Sequence, residues 1–175
     1  MTSGRVAPRL VPYGPAMTGR RSPQKRRGAR SDSDVLVDGL FGGHDWTRLH
    51  SVVREGVERG AFGAPTVTRF LARATEDESI RRQLRDAVVA GRSWKRRVDD
   101  RSPLSSAELQ RLTQVAEVVR EARRVYGGND AAAERFLTAP HRRLGDRPPI
   151  IVAASEAGAQ AVRELLSRLE EGAPA

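Results

Sequence analysis

The chain has 175 residues, enough for one domain of ordinary size or two small ones. It contains no cysteine, which removes disulfide frameworks, zinc ribbons and thiol catalysis. Its formal charge of +9 invites a nucleic-acid reading, but eight of the basic residues fall within residues 1–30, which hold no acid. The remaining 145 residues carry 23 basic and 22 acidic side chains, so the high pI describes a tail and not a domain. Arginine outnumbers lysine 29 to 2, a bias that a high-GC genome explains as readily as phosphate binding. No apolar run approaches the roughly 20 residues that span a bilayer. The basic N-terminus lacks the apolar core of a secretory signal. A cytoplasmic protein without membrane contact is expected.

Residues 1–30 are rich in Pro, Gly, Arg and Ser with almost no apolar periodicity. Such a segment buries too little surface to offset its ordering entropy and is expected to be disordered. It reads either as an arm that strengthens DNA binding through counterion release or as a solvated leader. From about residue 45 the pattern is helical. Asp45 or Thr47 can cap a helix whose apolar face is Trp46, Leu49, Val52, Val53 and Val57, ended by Gly60. Pro65 suits the first turn of a short helix carrying Val67, Phe70 and Leu71. Residues 77–90 place Ile80, Leu84, Ala87 and Val88 on one face.

The clearest local signal begins at Ser105. Ser105 and Glu108 have the spacing of a capping box, and Leu104 and Leu109 that of a hydrophobic staple. Leu109, Leu112, Val115, Ala116, Val119, Ala122 and Val125 then form one stripe over about five turns, closed by Gly127-Gly128. A second helix runs from Asn129 to Thr138, burying Ala132, Phe136 and Leu137, and Pro140 closes it. Pro148-Pro149 opens a short apolar turn, Ile150 to Ala153. Ser155 can cap the last helix, with Ala159, Val162, Leu165, Leu166 and Leu169 inward and Gly172 at its end. The fold class is all-α. Leu112, Val119, Phe136, Val162 and Leu165 are expected to unite the last helices in one cluster.

Enzyme signatures are missing: there is no G-x-S-x-G elbow, phosphate loop, H-E-x-x-H or G-x-G-x-x-G. His44, His50 and His141 lie far apart without ligand spacing, so no metal is expected. Glu76-Asp77-Glu78 and Asp99-Asp100 suit helix starts and solvated ends better than acid–base catalysis. Neither catalysis nor a cofactor is expected.

Residues 80–101 carry eight basic and three acidic side chains. A tight turn near Ala90-Gly91 separates two helices, the second of which Ser93 can cap. In that helix Trp94 and Val98 are expected to pack inward, with Lys95, Arg96 and Arg97 facing out. This is the helix-turn-helix pattern, in which the second helix enters the major groove and arginine reads guanine bidentately. An ordinary charged face on an arginine-rich protein is the other reading. The candidate DNA contacts are Arg92, Ser93, Lys95, Arg96 and Arg97.

Val125-Tyr126-Gly127, Phe136-Leu137 before Pro140, Leu144-Gly145-Asp146-Arg147-Pro148 and Gly158-Ala159 with Val162, Leu165, Leu166 and Leu169-Glu170-Glu171-Gly172 form an ordered series. Over residues 105–172 this series resembles the toxin-binding half of the Xre/MbcA/ParS family of antitoxins. That family shows a V-F-G-like helix end, a W-L-like pair before proline, an L-G-G-x-x-P loop and a G-A-x-x-V-x-x-L-L-x-R-I-E-x-G helix. The departures are Tyr126 for the aromatic, Phe136 for tryptophan, Asp146 for the second glycine and Leu169 for isoleucine. Ser93 to Val98 resembles, more weakly, the end of an Xre-like recognition helix. Residues 1–60 have no counterpart.

Composition and the resemblance together suggest three parts: a disordered basic tail (1–44), an Xre-like helix-turn-helix domain (45–102) and a toxin-binding domain (103–175). The resemblance further implies a cognate RES-domain toxin that consumes NAD, covered at its active-site entrance, and repression of the chain's own operon. A homodimer reading two half-sites, or a larger complex with toxin, follows. The toxin contacts it suggests are Leu144, Gly145, Asp146, Arg147, Glu170, Glu171, Gly172 and Ala175. Acidic groups at Glu170, Glu171 and the Ala175 carboxylate would suit the electropositive site that a dinucleotide pyrophosphate requires. The alternative is a free-standing DNA-binding regulator without a toxin.

Overall fold

The computed structural model describes residues 31–42 and 46–172, with backbone alone for residues 46–50 and 52. Its elements in chain order are α1 (Asp32–Gly42), α2 (Trp46–Glu58), α3 (Ala64–Ala74), α4 (Glu78–Val88), α5 (Gly91–Asp100) and α6 (Ser106–Val125). Then follow α7 (Asp130–Thr138), a 3-10 turn (Arg142–Leu144), α8 (Pro149–Val152) and α9 (Glu156–Glu170). Among the described residues there is no strand, and the only bridge pairs His141 with Arg147. The protein is all-α.

The start and stop chemistry of these helices is local. Asp77 caps α4 by accepting from the Ser79 and Ile80 amides at 2.7 and 3.1 Å. Those bonds, with the Ser79 hydroxyl and nearby Arg81, hold the Asp77 carboxyl below the usual aspartate range. The capping box of α6 forms as the spacing predicts. Glu108 accepts from the Ser105 amide and hydroxyl, each at 2.7 Å, and the Glu108 amide donates back to Ser105 Oγ at 3.4 Å. Asn129 and Ser155 cap α7 and α9 through bonds of 3.1 and 3.2 Å. Gly127 and Gly128 end α6 at φ +62° and +81°, where a side chain would be strained.

Helix α6 is the axle. It packs against α1, α3, α4, α7, α8 and α9. Leu112, Val115, Ala116, Val118, Val119 and Ala122 are all fully buried along it. Val118 lies off the stripe read from the sequence, because α6 is covered on more than one face. Leu112, Val119 and Val162 share the core cluster. Leu165 is buried too, whereas Phe136 is only half-buried and packs against the cluster from its rim.

The structure departs from the pattern reading at several places. Residues 32–42, drawn as part of a disordered tail, form α1, whose Leu36, Val37, Leu40 and Phe41 are buried. Their single i, i+1, i+4, i+5 stripe is too short to stand out beside the basic stretch before it. A hydrogen bond of 2.7 Å between buried Ser33 and Thr66 hydroxyls pins α1 to α3, and the Phe41 and Phe70 rings meet at 5.0 Å. Residues 1–30, and Asp45 as a cap, lie outside the described residues. One core cluster runs across the boundary drawn at residue 103. Val57 and Val98, expected inward, are 36 and 49% exposed. Ala133 is buried in place of its neighbour Ala132. Phe62, unassigned by periodicity, is buried with its ring over Gly56, where a Cβ would come within 2.3 Å.

Leu40→Ala separates the two readings of residues 32–42. Buried as seen, Leu40 should cost about 2–5 kcal/mol on truncation. A urea melt with an unchanged midpoint would return α1 to the tail.

Candidate functional site

Two surfaces carry the residues singled out by sequence. The first is formed by α4 and α5, separated by the two-residue turn Val89-Ala90. Val89 is buried, and Arg111 Nη1 donates to the Val88 carbonyl at 2.9 Å, closing the end of α4. Helix α5 packs on α3 and α4 yet has no buried residue. Trp94 is half-buried, with the Arg85 guanidinium 5.6 Å from its ring centroid.

Arg92, Lys95 and Arg96 are exposed as expected. Ser93 and Arg97 are not where the pattern put them. Ser93 sits inside the first turn, its amide donating to the Ala90 carbonyl at 2.7 Å, and Ala90 is the capping position. Arg97 turns inward. Its Nε and Nη2 donate to the two Glu108 oxygens at 3.1 and 2.6 Å, and Nη1 donates to the Pro103 carbonyl. The two side chains are only 13 and 8% exposed. On a helical wheel of α5 Arg97 lies about 60° from Trp94 and about 100° from Arg96, but only the arrival of α6 supplies the carboxylate that draws it in.

The second surface lies at the C-terminal side. Helices α6 and α9 run parallel, as their ion pairs keep one offset. Arg163 Nη2 meets Glu117 at 2.9 Å, and Arg124 meets both Glu170 oxygens at 2.6 and 3.0 Å. Bringing a parallel helix back needs the excursion through α7, the 3-10 turn and α8. The N-terminus of α9 approaches α8 so closely that a Cβ on Gly158 would lie 2.0 Å from the Val152 carbonyl oxygen. Only glycine fits there.

The loop at residues 141–147 is tied by its own backbone. The Asp146 and Leu144 amides donate to the His141 carbonyl at 3.1 and 2.9 Å, and the His141 amide donates to the Arg147 carbonyl at 3.2 Å. Gly145 and Asp146 both take positive φ, +67° and +56°. Aspartate tolerates this left-handed region better than most residues, which is how Asp146 stands where a second glycine is usual. Leu144 packs on the core rim while Gly145, Asp146 and Arg147 are exposed. Beside the loop, Tyr126, Phe136 and His141 form a half-buried row of rings with centroids 5.9 and 6.3 Å apart. Sequence patterning assigned Phe136 to the core and left Tyr126 without a role.

The acidic end of α9 is less free than expected. Glu170 is held by Arg124, whose hydrogen bonds keep its carboxyl below the usual glutamate range and raise the guanidinium in turn. Glu171 accepts from the Ser167 hydroxyl at 3.2 Å, and Gly172 closes the helix at φ +74°. Ala175 lies outside the described residues. The 3-10 turn touches α9, so the loop and that helix belong to one packed unit.

Residues 121–172 match the family model of the antitoxin Xre/MbcA/ParS C-terminal toxin-binding domain. That span begins in the last turns of α6 and ends where α9 ends, enclosing the aromatic row, the loop and the Gly158 contact. Over that span the chain resembles a toxin-binding domain of this family. The chain is also similar to a protein named Antitoxin Xre from Pseudomonas putida, 28% identical over 103 residues, which are 59% of this chain and 64% of that one. Proteins of the same name from Yersinia enterocolitica and Photorhabdus laumondii are each 30% identical over 89 residues, 51% of this chain and 60% of theirs. The chain spans less than two thirds of the length of these relatives.

The family model matches from residue 121, whereas the resemblance read from sequence reaches back to residue 105. Among the described residues no cluster of acids and histidines could hold a metal ion, and no helix is long and apolar enough to cross a membrane.

Two measurements test this geometry. Gly158→Ala should cost about 1–3 kcal/mol by overpacking the α8–α9 junction, read as a lowered melting temperature; a neutral result would mean that α9 shifts freely. Glu170 should titrate below the usual glutamate value in an NMR pH series. Because its folded value is depressed, the stability it adds is present above the ordinary carboxylate range and is lost as pH falls through the folded value. Replacing Arg124 by glutamine should move the Glu170 midpoint back up.

Proposed function

We propose that the chain is an antitoxin that binds and neutralises a RES-domain, NAD-consuming toxin through its C-terminal domain, acting by occlusion and not by catalysis. The observation that carries this reading is the coincidence of the matched span, residues 121–172, with one packed unit that presents a rigid exposed loop and a half-buried aromatic row. Aromatic and arginine side chains on a preorganised surface are the usual anchors of protein interfaces. In this reading Leu144, Gly145, Asp146 and Arg147 contact the toxin, with Tyr126, Phe136 and His141 alongside. Glu170, Glu171, Gly172 and Ala175 approach its electropositive NAD site. Arg124 neutralises Glu170 in the free protein, so Glu171 is the acid most available to a partner.

The chain is further proposed to repress its own operon as a homodimer, alone or with toxin, through α4 and α5. Exposed Arg92, Lys95 and Arg96 at the start and outer face of α5 would meet the major groove. A cytoplasmic location and the absence of a cofactor belong to the same reading. The second reading, a regulator without a toxin, keeps the α5 surface and gives the C-terminal domain no partner.

The test is co-expression with a RES-domain toxin, if a neighbouring gene encodes one. Full-length chain should co-purify with it and suppress NAD consumption. A chain ending at Arg168 should remain folded by circular dichroism, stay bound, and release NAD consumption partly or wholly. Undiminished inhibition by that folded chain would move the blocking surface to the Leu144–Pro148 loop. No association at all would favour the free-standing regulator.

A further inference from the structure

Helix α5 has no fully buried residue, and its apolar contact with the core is the half-buried Trp94. Apart from half-buried Trp94 with its Arg85 stack, its deepest anchor is Arg97. That guanidinium grips both oxygens of Glu108 and the carbonyl of Pro103. Glu108 is itself fixed, because the same carboxylate closes the N-cap of α6 by accepting from the Ser105 amide and hydroxyl. Four donor groups of two helices converge on one buried carboxylate.

We infer that Arg97 and Glu108 are positioning residues for DNA recognition: a clamp that sets the angle of α5 against α6, while Arg92, Lys95 and Arg96 touch the nucleic acid. The inference rests on the DNA-binding reading of α5 proposed above. Its physical basis is geometric. A planar guanidinium held bidentately resists both sliding and rotation of the helix that carries it, and base readout tolerates little misplacement. Since α6 continues into the Xre/MbcA/ParS-type domain, the clamp also makes α5 part of the same rigid lever.

The test separates positioning from contact by salt dependence. The slope of log affinity against log salt falls by about 0.9 for each phosphate contact removed. With a duplex from upstream of the chain's own gene as probe, Arg96→Gln should weaken binding and reduce that slope. Arg97→Gln and Glu108→Gln should each weaken binding about tenfold, the worth of one good base contact, with the slope unchanged. A second readout needs no DNA. In a Trp46→Phe background, both variants should make Trp94 fluorescence more accessible to acrylamide, because α5 loosens. Arg97→Lys, which keeps charge but loses the fork, should fall between wild type and Arg97→Gln in both assays.

Circular dichroism and thermal melts check folding. Should Glu108→Gln fail to fold, Arg97→Gln leaves the α6 cap intact and carries the test. A slope that drops in Arg97→Gln as it does in Arg96→Gln would make Arg97 a direct contact and overturn the clamp. So would wild-type affinity and unchanged quenching in both clamp variants. If the wild-type chain binds neither this duplex nor others, the DNA reading itself fails and the positioning role falls with it. Trp94 quenching in Glu108→Gln would then still report whether Arg97 holds α5.

Discussion

The desolvation of α6 is the constraint on which the remaining structure depends. A helix of 20 residues with Leu112, Val115, Ala116, Val118, Val119 and Ala122 fully buried cannot be covered by one neighbour. Each buried aliphatic side chain contributes about 1.5–3 kcal/mol only when water is excluded on every side of it. Six other helices supply that cover, from α1 at one end of the chain to α9 at the other. This explains why α1, read as tail, is folded: Leu36, Leu40 and Phe41 complete the shell.

The same axle organises the polar chemistry. Its N-terminus offers Glu108, which serves as cap and as counter-charge to Arg97. Removing one partner from such a buried pair strands the other, at a cost of about 3–5 kcal/mol, so Arg97 is tied to the interior despite its place on a basic helix. Further along, Glu117 and Arg124 pair with Arg163 and Glu170 in register, holding α9 parallel to α6. These outer pairs are half-exposed and contribute alignment more than energy. Parallel helices cannot be joined by a short turn. The long return through α7, the loop and α8 is therefore a topological necessity, and the exposed 141–147 loop and aromatic row are its products.

Placing two surfaces on one axle has a functional consequence. The basic face of α5 hangs from the start of α6, and the matched span, residues 121–172, grows from its end. Under the proposed function, a single helix about 30 Å long would hold the DNA-binding and toxin-binding faces in one fixed relation without a linker.

Much of this was legible in the residues themselves. Capping boxes, glycine stops and the periodicities of α3, α4, α6 and α9 are local: their causes lie within four residues of their effects, so they could be read without a fold. The Gly158-Ala159 pair and the L-G-x-x-P loop were legible as a pattern, but their causes were not. Gly158 is required by the close Val152 carbonyl, and Asp146 is tolerated in a left-handed turn, neither visible in a string. Tertiary structure alone decided the rest. Whether Phe136 is core or rim depends on what α6 and α8 leave uncovered, and whether Val98 is inward depends on how α5 lies over the start of α3. Most of all, a row of arginines in sequence says nothing about which of them has a carboxylate waiting across space. Arg96 and Arg97 are adjacent and chemically identical; Glu108, eleven residues on and brought close by folding, sends one to the interior and leaves the other to solvent.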